Sequence, residues 1–375
     1  MAKRLARSGS TRYAMYLAVL PSYRKNCIED VRAELSKDIE IIVSDAHLDP
    51  TVKTGIPREY YRRAAMWRIF SGRIFVQFTI STAPIFSEAV IVDLNPRSIT
   101  AWSVLVIRRL LAKRTLVWGH IHPQAGPDSW TGRFRVLMRK IAHGTISYTY
   151  EDRAKALQDL PGAPVWVAPN ALYRKADMIP SSATPSSRTE VLYVGRFVPA
   201  KKLMLLLRGF AIAAVQVPEM RLNLVGGGQD EPAMILLANE LGIMEKVSFQ
   251  GWEDRVSTLR IAYESSFCSV SPGFAGLGLT QSLGFGVPMV VADSEQHSPE
   301  IELHRSGGVK WFASDSPASL ADAILECWRN RELLPDLALS EYTRERYSSE
   351  AMAFGIISAL RNEKPNLREF SKDPS

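Results

Sequence analysis

The chain has 375 residues, with 46 Lys+Arg against 39 Asp+Glu and a formal net charge of +7. At roughly 100–200 residues per domain, that length points to two domains, each long enough to bury its own core. A content of 46% hydrophobic and 23% charged residues excludes wholesale disorder, and three scattered cysteines (Cys27, Cys268, Cys327) exclude a disulfide framework or a cysteine zinc cage and favour a reducing compartment.

The charge is uneven. Residues 1–180 hold 27 basic and 15 acidic residues, net +12, whereas 181–375 hold 19 and 24, net −5. The bias peaks over 52–150, with 15 basic residues against 4 acidic. The first half is therefore expected to meet something anionic (phospholipid, nucleic acid or a diphosphate-bearing substrate), the plain alternative being a solvated basic surface.

Along the chain, the basic start Met1–Arg12 leads into an apolar run, Tyr13–Leu20, too short and lacking the cleavage site of a secretory signal. It reads as a buried strand behind a basic arm. Strands are predicted at Ile39–Ser44, Ile74–Ile80, Ala89–Leu94, Leu116–His120, Thr145–Thr149 and Val165–Ala168, with helical stretches at Cys27–Lys37, Ser98–Lys113, Gly132–His143 and Glu151–Leu160. This alternation is the mark of a parallel sheet covered on both faces. No apolar run reaches the ~18–20 residues of a spanning helix, so membrane contact would be peripheral. Its candidates are Ala101–Lys113 and Gly132–His143, which set apolar faces beside arginines and lysines. Each reads equally as a core-packing helix with a charged outer face.

The Ser- and Pro-rich stretch 179–188 lacks apolar periodicity and reads as a linker. A second strand–helix series follows, with strands at Val191–Val194, Arg221–Val225, Val247–Gln250, Cys268–Ser271 and Met289–Ala292. Its helices lie at Lys202–Val215, Pro232–Leu241, Ala318–Trp328 and Ala351–Arg361. The predicted fold class is α/β: two doubly wound Rossmann-like domains facing a cleft, where ligands bind beyond the carboxyl ends of the strands.

Three segments carry chemistry. In Val191-Leu-Tyr-Val-Gly-Arg-Phe-Val-Pro-Ala-Lys-Lys202 a strand runs into Gly195, with a guanidinium at Arg196 and an ammonium at Lys201. That set suits a diphosphate: Arg binds its oxygens bidentately, Lys adds a point charge, and both stabilise charge that grows as the bond to a sugar breaks. Val225-Gly-Gly-Gly-Gln-Asp-Glu231 is a glycine turn at a strand end, with Gly227 at its centre. Ser271-Pro-Gly-Phe-Ala-Gly-Leu-Gly-Leu-Thr-Gln281 combines a glycine loop with a helix start near Gly278 that favours anionic phosphate. In the first half, Leu116-Val-Trp-Gly-His-Ile-His122 places two histidines at a strand's carboxyl end. They lack a convincing third partner for a metal.

Taken in order, these segments of 189–330, with Val247-Ser-Phe-Gln-Gly251 and Gly286-Val-Pro288, resemble the retaining GT-B glycosyltransferases of the group 1 (family 4) type. The Ser-Pro-Gly-x-x-Gly-Leu loop is similar to that of an exopolysaccharide-type subset. The resemblance implies an acceptor-binding domain over 1–178, a linker over 179–188 and a nucleotide-sugar-binding domain over 189–345, with Asn170-Ala171 closing the first domain. It also implies a helix and tail over 346–375 crossing back toward the first domain. It further implies a UDP- or GDP-sugar donor, a polysaccharide, lipid-linked or other glycan acceptor, retention of anomeric configuration and no metal or other cofactor. The implied site has His120, Arg196 and Lys201 as catalytic residues and Gly195, Gly227, Gly276, Leu277, Gly278, Gln281 and Glu300 as donor-binding residues. His122 is the second choice to His120, and Asp128 and Glu151 are acceptor-side carboxylates that nothing singles out. Glu300 reads otherwise as a surface carboxylate.

Two glutamates usual in the family are absent: Gly273 and Gln281 stand in their places. That departure motivates an alternative, a noncatalytic sugar- or nucleotide-binding protein of the same fold. Nucleic-acid binding lacks aromatic–basic interleaving and ranks last, and a nicotinamide oxidoreductase lacks a G-x-G-x-x-G after a strand. The expected setting is cytoplasmic, peripheral to an anionic inner membrane face.

Overall fold

A computed structural model describes residues 11–48, 53–122, 129–180 and 187–365. Among these the chain forms two compact units. One takes the residues up to Ala171 and resumes at Ser348, and the other runs Leu172–Tyr347.

The first unit contains β1 (Tyr13–Leu17), α1 (Lys25–Leu35), β2 (Ile39–Val43), β3 (Arg62–Arg63), β4 (Ala65–Ile69), β5 (Ile74–Phe78), α2 (Ala83–Phe86) and β6 (Ala89–Asp93). It continues with α3 (Ile99–Leu110), β7 (Arg114–Trp118), α4 (Trp130–Ile141), β8 (Gly144–Ser147), α5 (Tyr150–Asp159) and β9 (Val165–Val167). Its main sheet is parallel throughout, in the order β3-β2-β1-β6-β7-β8-β9. β1 is apolar at all five positions and buried at all five, as a central strand covered on both faces requires. Separate clusters cover the two faces, one around Met15, Ile41 and Ile91, the other around Tyr16, Val90 and Val117. The helices start on side-chain caps that the sequence supplies: Ser98 accepts from the Ala101 amide, Ser129 from Gly132 and Thr149 from Asp152.

The second unit contains β10 (Glu190–Arg196), α6 (Leu203–Gln216), β11 (Arg221–Gly227), α7 (Glu231–Glu240), β12 (Val247–Gly251), α8 (Val256–Glu264) and β13 (Ser266–Ser271). α9 (Gly278–Gly284), β14 (Met289–Ala292), β15 (Val309–Phe312), α10 (Pro317–Arg329) and α11 (Leu337–Arg346) complete it. Its sheet is again parallel, in the order β12-β11-β10-β13-β14-β15. The order reverses beside β1 in the first sheet and beside β10 in the second. Those are the two places where an open α/β sheet leaves a crevice at its carboxyl edge.

Two sequence expectations are corrected. Ile74–Ile80 is not a strand of the parallel sheet: β5 pairs antiparallel with β4 in a separate hairpin, Ala65 opposite Phe78 and Ile69 opposite Ile74. Only four residues join the two strands, too few for a parallel crossover, and Phe70, Ser71 and Gly72 turn the chain at positive φ. The boundary between units falls at Ala171/Leu172 rather than at 178, and the 179–188 stretch follows it. Met178 is buried under Gly284 and Arg188 donates to the carbonyls of Tyr263 and Ser266, so both ends of that stretch belong to the second unit. Residues 181–186 lie outside the described residues. The elements β3, β4, α2, α8, β15 and α11 lie outside the sequence expectations.

The closing helix α12 (Ser349–Arg361) packs against α1 and β9 of the first unit, burying Met352, Ile356 and Ala359 in the cluster around Met15. Gly355 permits this approach, since a Cβ there would sit 1.9 Å from the Val167 carbonyl oxygen. Gly355→Ala is expected to destabilise the first unit by about 3 kcal/mol, the upper range for overpacking against backbone. Denaturant unfolding checks this, and an unchanged midpoint would refute the packing.

Candidate active site

In the second unit the site grows from β10, whose carboxyl end stands at the crevice of the sheet. Three loops interlock there by backbone contact. Gly226 adopts φ +142°, and a Cβ on it would meet the Gly195 carbonyl oxygen at 1.8 Å, so β10 and β11 leave the sheet with no room for a side chain between them. Gly227 pairs with Arg196 in register and accepts the Phe197 amide at 2.8 Å. The loop after β13 comes as close. A Cβ on Gly273 would lie 2.4 Å from the Ala200 oxygen, and the Phe274 amide donates to that oxygen at 3.1 Å. A glutamate at 273 would have to displace the Pro199–Lys201 turn, which is a steric reason for the glycine.

Lys201 is half-buried in this knot, its ammonium donating to the Phe274 carbonyl at 2.6 Å and lying 4.8 Å from the Phe274 ring centre. Burial and the Arg196 guanidinium push it down to about 8. Arg196 is exposed, and among the described residues neither cation has a carboxylate within ion-pair distance. The adjacent Lys202 behaves differently: its ammonium pairs with both Glu295 and Asp315 at 2.8 Å or less. Two neighbouring cations with no carboxylate partner among the described residues, one of them partly desolvated, have the chemistry to bind an anion.

The remaining candidates frame it. Gly276 and Leu277 precede α9, which begins at Gly278, and their carbonyls accept the amides of Leu279 and Gln281. Gln281 is buried, and its amide nitrogen donates to the Tyr173 hydroxyl at 2.8 Å. Glu300 is 2% exposed, which removes its reading as a surface carboxylate. His297, passed over in the sequence, fixes the loop: Nδ1 accepts the Ala275 amide at 3.1 Å, so Nε2 carries the proton donated to the Ala292 carbonyl at 2.7 Å.

In the first unit, His120 lies two residues beyond β7. Burial, with Arg135 and Arg24 nearby, pushes its pKa down to about 4, so the ring is neutral near pH 7. It leans on Tyr148 with ring centres 4.7 Å apart, Arg135 donates to its carbonyl, and its buried Nδ1 has no hydrogen-bond partner among the described residues. His122 is occupied elsewhere, 3.1 Å from Asp159, which also takes the Arg139 guanidinium at 2.6 Å. Glu151 lies 3.7 Å from Lys155, and Asp128 lies outside the described residues.

Two further residues at these strand ends escaped the sequence reading. Asp93 ends the apolar run of β6 and accepts the Ala18 amide just past β1, closing the crevice of the sheet. Its carboxyl is pushed up to about 6 by burial. Arg24, buried at the start of α1, donates to the Tyr148 hydroxyl at 2.9 Å and to the Asn170 side-chain Oδ1 at 3.3 Å and stacks over Trp118. A lone acid closing an otherwise apolar strand was the available signal for Asp93.

That raised carboxyl has a measurable consequence. Between about pH 4 and 6 the folded protein retains a proton that the unfolded chain, titrating near 3.8, has released. Asp93 therefore contributes stability that is present at low pH and is lost as pH rises through that window, by at most about 3 kcal/mol. Asp93→Asn should gain on the wild type by up to that amount between pH 4 and 6 in urea unfolding. A constant difference across the window would remove the assignment.

Two parallel Rossmann-like sheets, one in each unit, are the architecture of the GT-B fold of glycosyltransferases. Residues 175–346, nearly the whole second unit, match the model of the glycosyl transferases group 1 family. The chain is 28% identical over 137 residues to the lipopolysaccharide core biosynthesis glycosyltransferase LpsE of Rhizobium meliloti, a match covering 36% of each. It is 38% identical over 112 residues to the D-inositol 3-phosphate glycosyltransferase of Mycobacterium sp. (strain KMS), covering 28% of this chain and 24% of that protein. Both matches thus span well under half of the relative's length. In structure it resembles Anabaena Alr3699/HepE, solved in complex with UDP, with a TM-score of 0.65 at 13% identity over 94% of this chain and 100% of that one.

Proposed function

We propose that this protein is a retaining glycosyltransferase that moves a hexose from a UDP- or GDP-sugar to a glycan acceptor carried on a lipid or growing polysaccharide. The observation that carries the reading is the Arg196–Lys201 pair, two cations with no carboxylate partner among the described residues, set beside glycine loops packed backbone to backbone. A departing nucleoside diphosphate develops negative charge on its bridging oxygen, and fixed cations stabilise that charge without a metal. The second unit holds the donor. Gly195, Gly227, Gly276 and Gly278 leave space around it, while Leu277, Gln281 and Glu300 shape the sugar and ribose contacts. The first unit holds the acceptor, with neutral His120 beside it as a hydrogen-bonding group. UDP in Alr3699/HepE and the lipopolysaccharide core named for LpsE support a nucleotide donor and a glycan acceptor.

The basic first half and the exposed Leu110 of α3 and Trp130 of α4 support work at an anionic, cytoplasmic membrane face. No helix among the described residues is long and apolar enough to cross a membrane. One observation favours the noncatalytic alternative: Gly273 offers no side chain and the Gln281 amide is already engaged by Tyr173. Calorimetric titration with UDP, GDP and their sugars, followed by proton NMR of any product, separates the readings. An α-linked product from an α-linked donor supports retaining transfer, and nucleotide binding without turnover on any glycan would sink it.

A further inference from the structure

The β4–β5 hairpin stands outside both parallel sheets and has two unlike faces. Its register sets Ala65, Trp67 and Ile69 on one face with Ile74, Val76 and Phe78, so all six outward positions are apolar. Phe75 and Gln77, on the other face, are 0% and 5% exposed; Gln77 bonds to Ser44 and the Leu17 carbonyl, and Thr100 of α3 clamps its backbone. The hairpin is thus held firmly on its inner side. Its outer side is open: Trp67 is 66% exposed and Phe78 48%, with ring centres 4.8 Å apart, and Phe70 at the turn is 72% exposed. Over residues 60–87 the chain carries Arg62, Arg63, Arg68 and Arg73 and no acidic residue. Arg62 and Arg63 pair with Glu40 and Asp45, but Arg73 at the turn is exposed with no ion pair among the described residues.

We infer that the outward face of this hairpin is an interfacial anchor, laying Trp67, Phe70 and Phe78 among the headgroups and upper acyl chains of an anionic bilayer, with Arg73 against lipid phosphate. An apolar face rimmed by arginine fits that medium, where aromatic rings bury their bodies and guanidinium groups stay with the phosphates. A second copy of the chain is a poorer occupant, since it would bring together two regions that each hold 15 basic residues against 4 acidic. The inner face adds a purpose. Met66 and Arg68 line a cavity of about 410 Å³ with Ser44, Asp45, Ala46 and Arg63 at the carboxyl ends of β2 and β3. Anchoring the outer face sets that cavity at headgroup level, where a lipid-carried acceptor would reach it. This purpose rests on the proposed acceptor; the anchor itself does not.

The test is sedimentation of the full chain with vesicles of equimolar phosphatidylcholine and phosphatidylglycerol at low salt, and with phosphatidylcholine alone. The wild type should sediment with the anionic vesicles only. Trp67→Ser with Phe78→Ser should need about tenfold more lipid for half-binding, and Arg73→Ala should reduce the salt sensitivity. Nucleoside diphosphate affinity, measured on the same variants, should stay unchanged, which shows they are folded and separates failure of the anchor from failure of the transferase reading. Absence of wild-type binding, or a double variant that binds like wild type, overturns the inference. So does a wild-type dimer in ultracentrifugation that the double variant abolishes, since the face would then be covered by another copy.

Discussion

Alanine in place of Lys201 or of Arg196 is expected to weaken nucleoside diphosphate binding about a hundredfold each, measured by calorimetry near pH 7. Each cation would make charge-assisted hydrogen bonds to phosphate, typically about 1.5–3 kcal/mol, and neither has a carboxylate partner among the described residues. Lys202→Ala is the control: its ammonium is taken by Glu295 and Asp315, so affinity should change by no more than about threefold. The lysine also dictates a pH dependence. With its pKa lowered to about 8, Lys201 is cationic at neutral pH and loses its proton as pH rises through 8. Binding a diphosphate favours the ammonium, so affinity should be flat below pH 8 and fall above it, approaching tenfold per unit. Lys201→Arg, cationic throughout, should flatten that fall. Wild-type affinity in both alanine variants would end the diphosphate assignment and, with it, the proposed donor.

The second large effect concerns His120. His120→Ala is expected to lower the rate of transfer about 100- to 1000-fold while leaving nucleotide affinity within about twofold, because the residue belongs to the first unit and the phosphate cations to the second. Its pKa near 4 means that the imidazole is neutral from pH 5 upward, so its own titration should leave no limb in the rate profile above pH 5. A buried, partnerless Nδ1 costs stability unless something bonds it, and an acceptor hydroxyl is suited to do so. Full transfer activity in the alanine variant would refute the role.

The sequence made the second unit far more legible than the first. Its loops are held by backbone approach, and backbone approach is written locally as glycine: Gly226, Gly228 and Gly273 each mark a point where one loop meets another. Arg196 and Lys201 lie five residues apart, so one strand and one turn deliver both. The first unit is assembled from strands distant in sequence. Asp93 meets Ala18 across 75 residues and Arg24 meets Tyr148 across 124, pairings that no local spacing encodes. The strand-end Trp-Gly-His pattern ranks His120 ahead of His122 in the sequence, and the neighbours of each, Tyr148 for one and Asp159 for the other, are distant in the chain. The hairpin was half-read: the alternation of Ile74–Phe78 is that of a strand, but its partner Ala65–Ile69 is interrupted by Arg68 and went unnoticed.

The return of α12 to the first unit reverses the usual order of maturation on the ribosome. Residues 172–347 form a unit contiguous in sequence, whereas the earlier-made unit still lacks the helix that packs on β9. The half synthesised first is thus finished last, and until Ser349–Arg361 arrives its apolar face around Met15 and Ile41 is left open to chaperones.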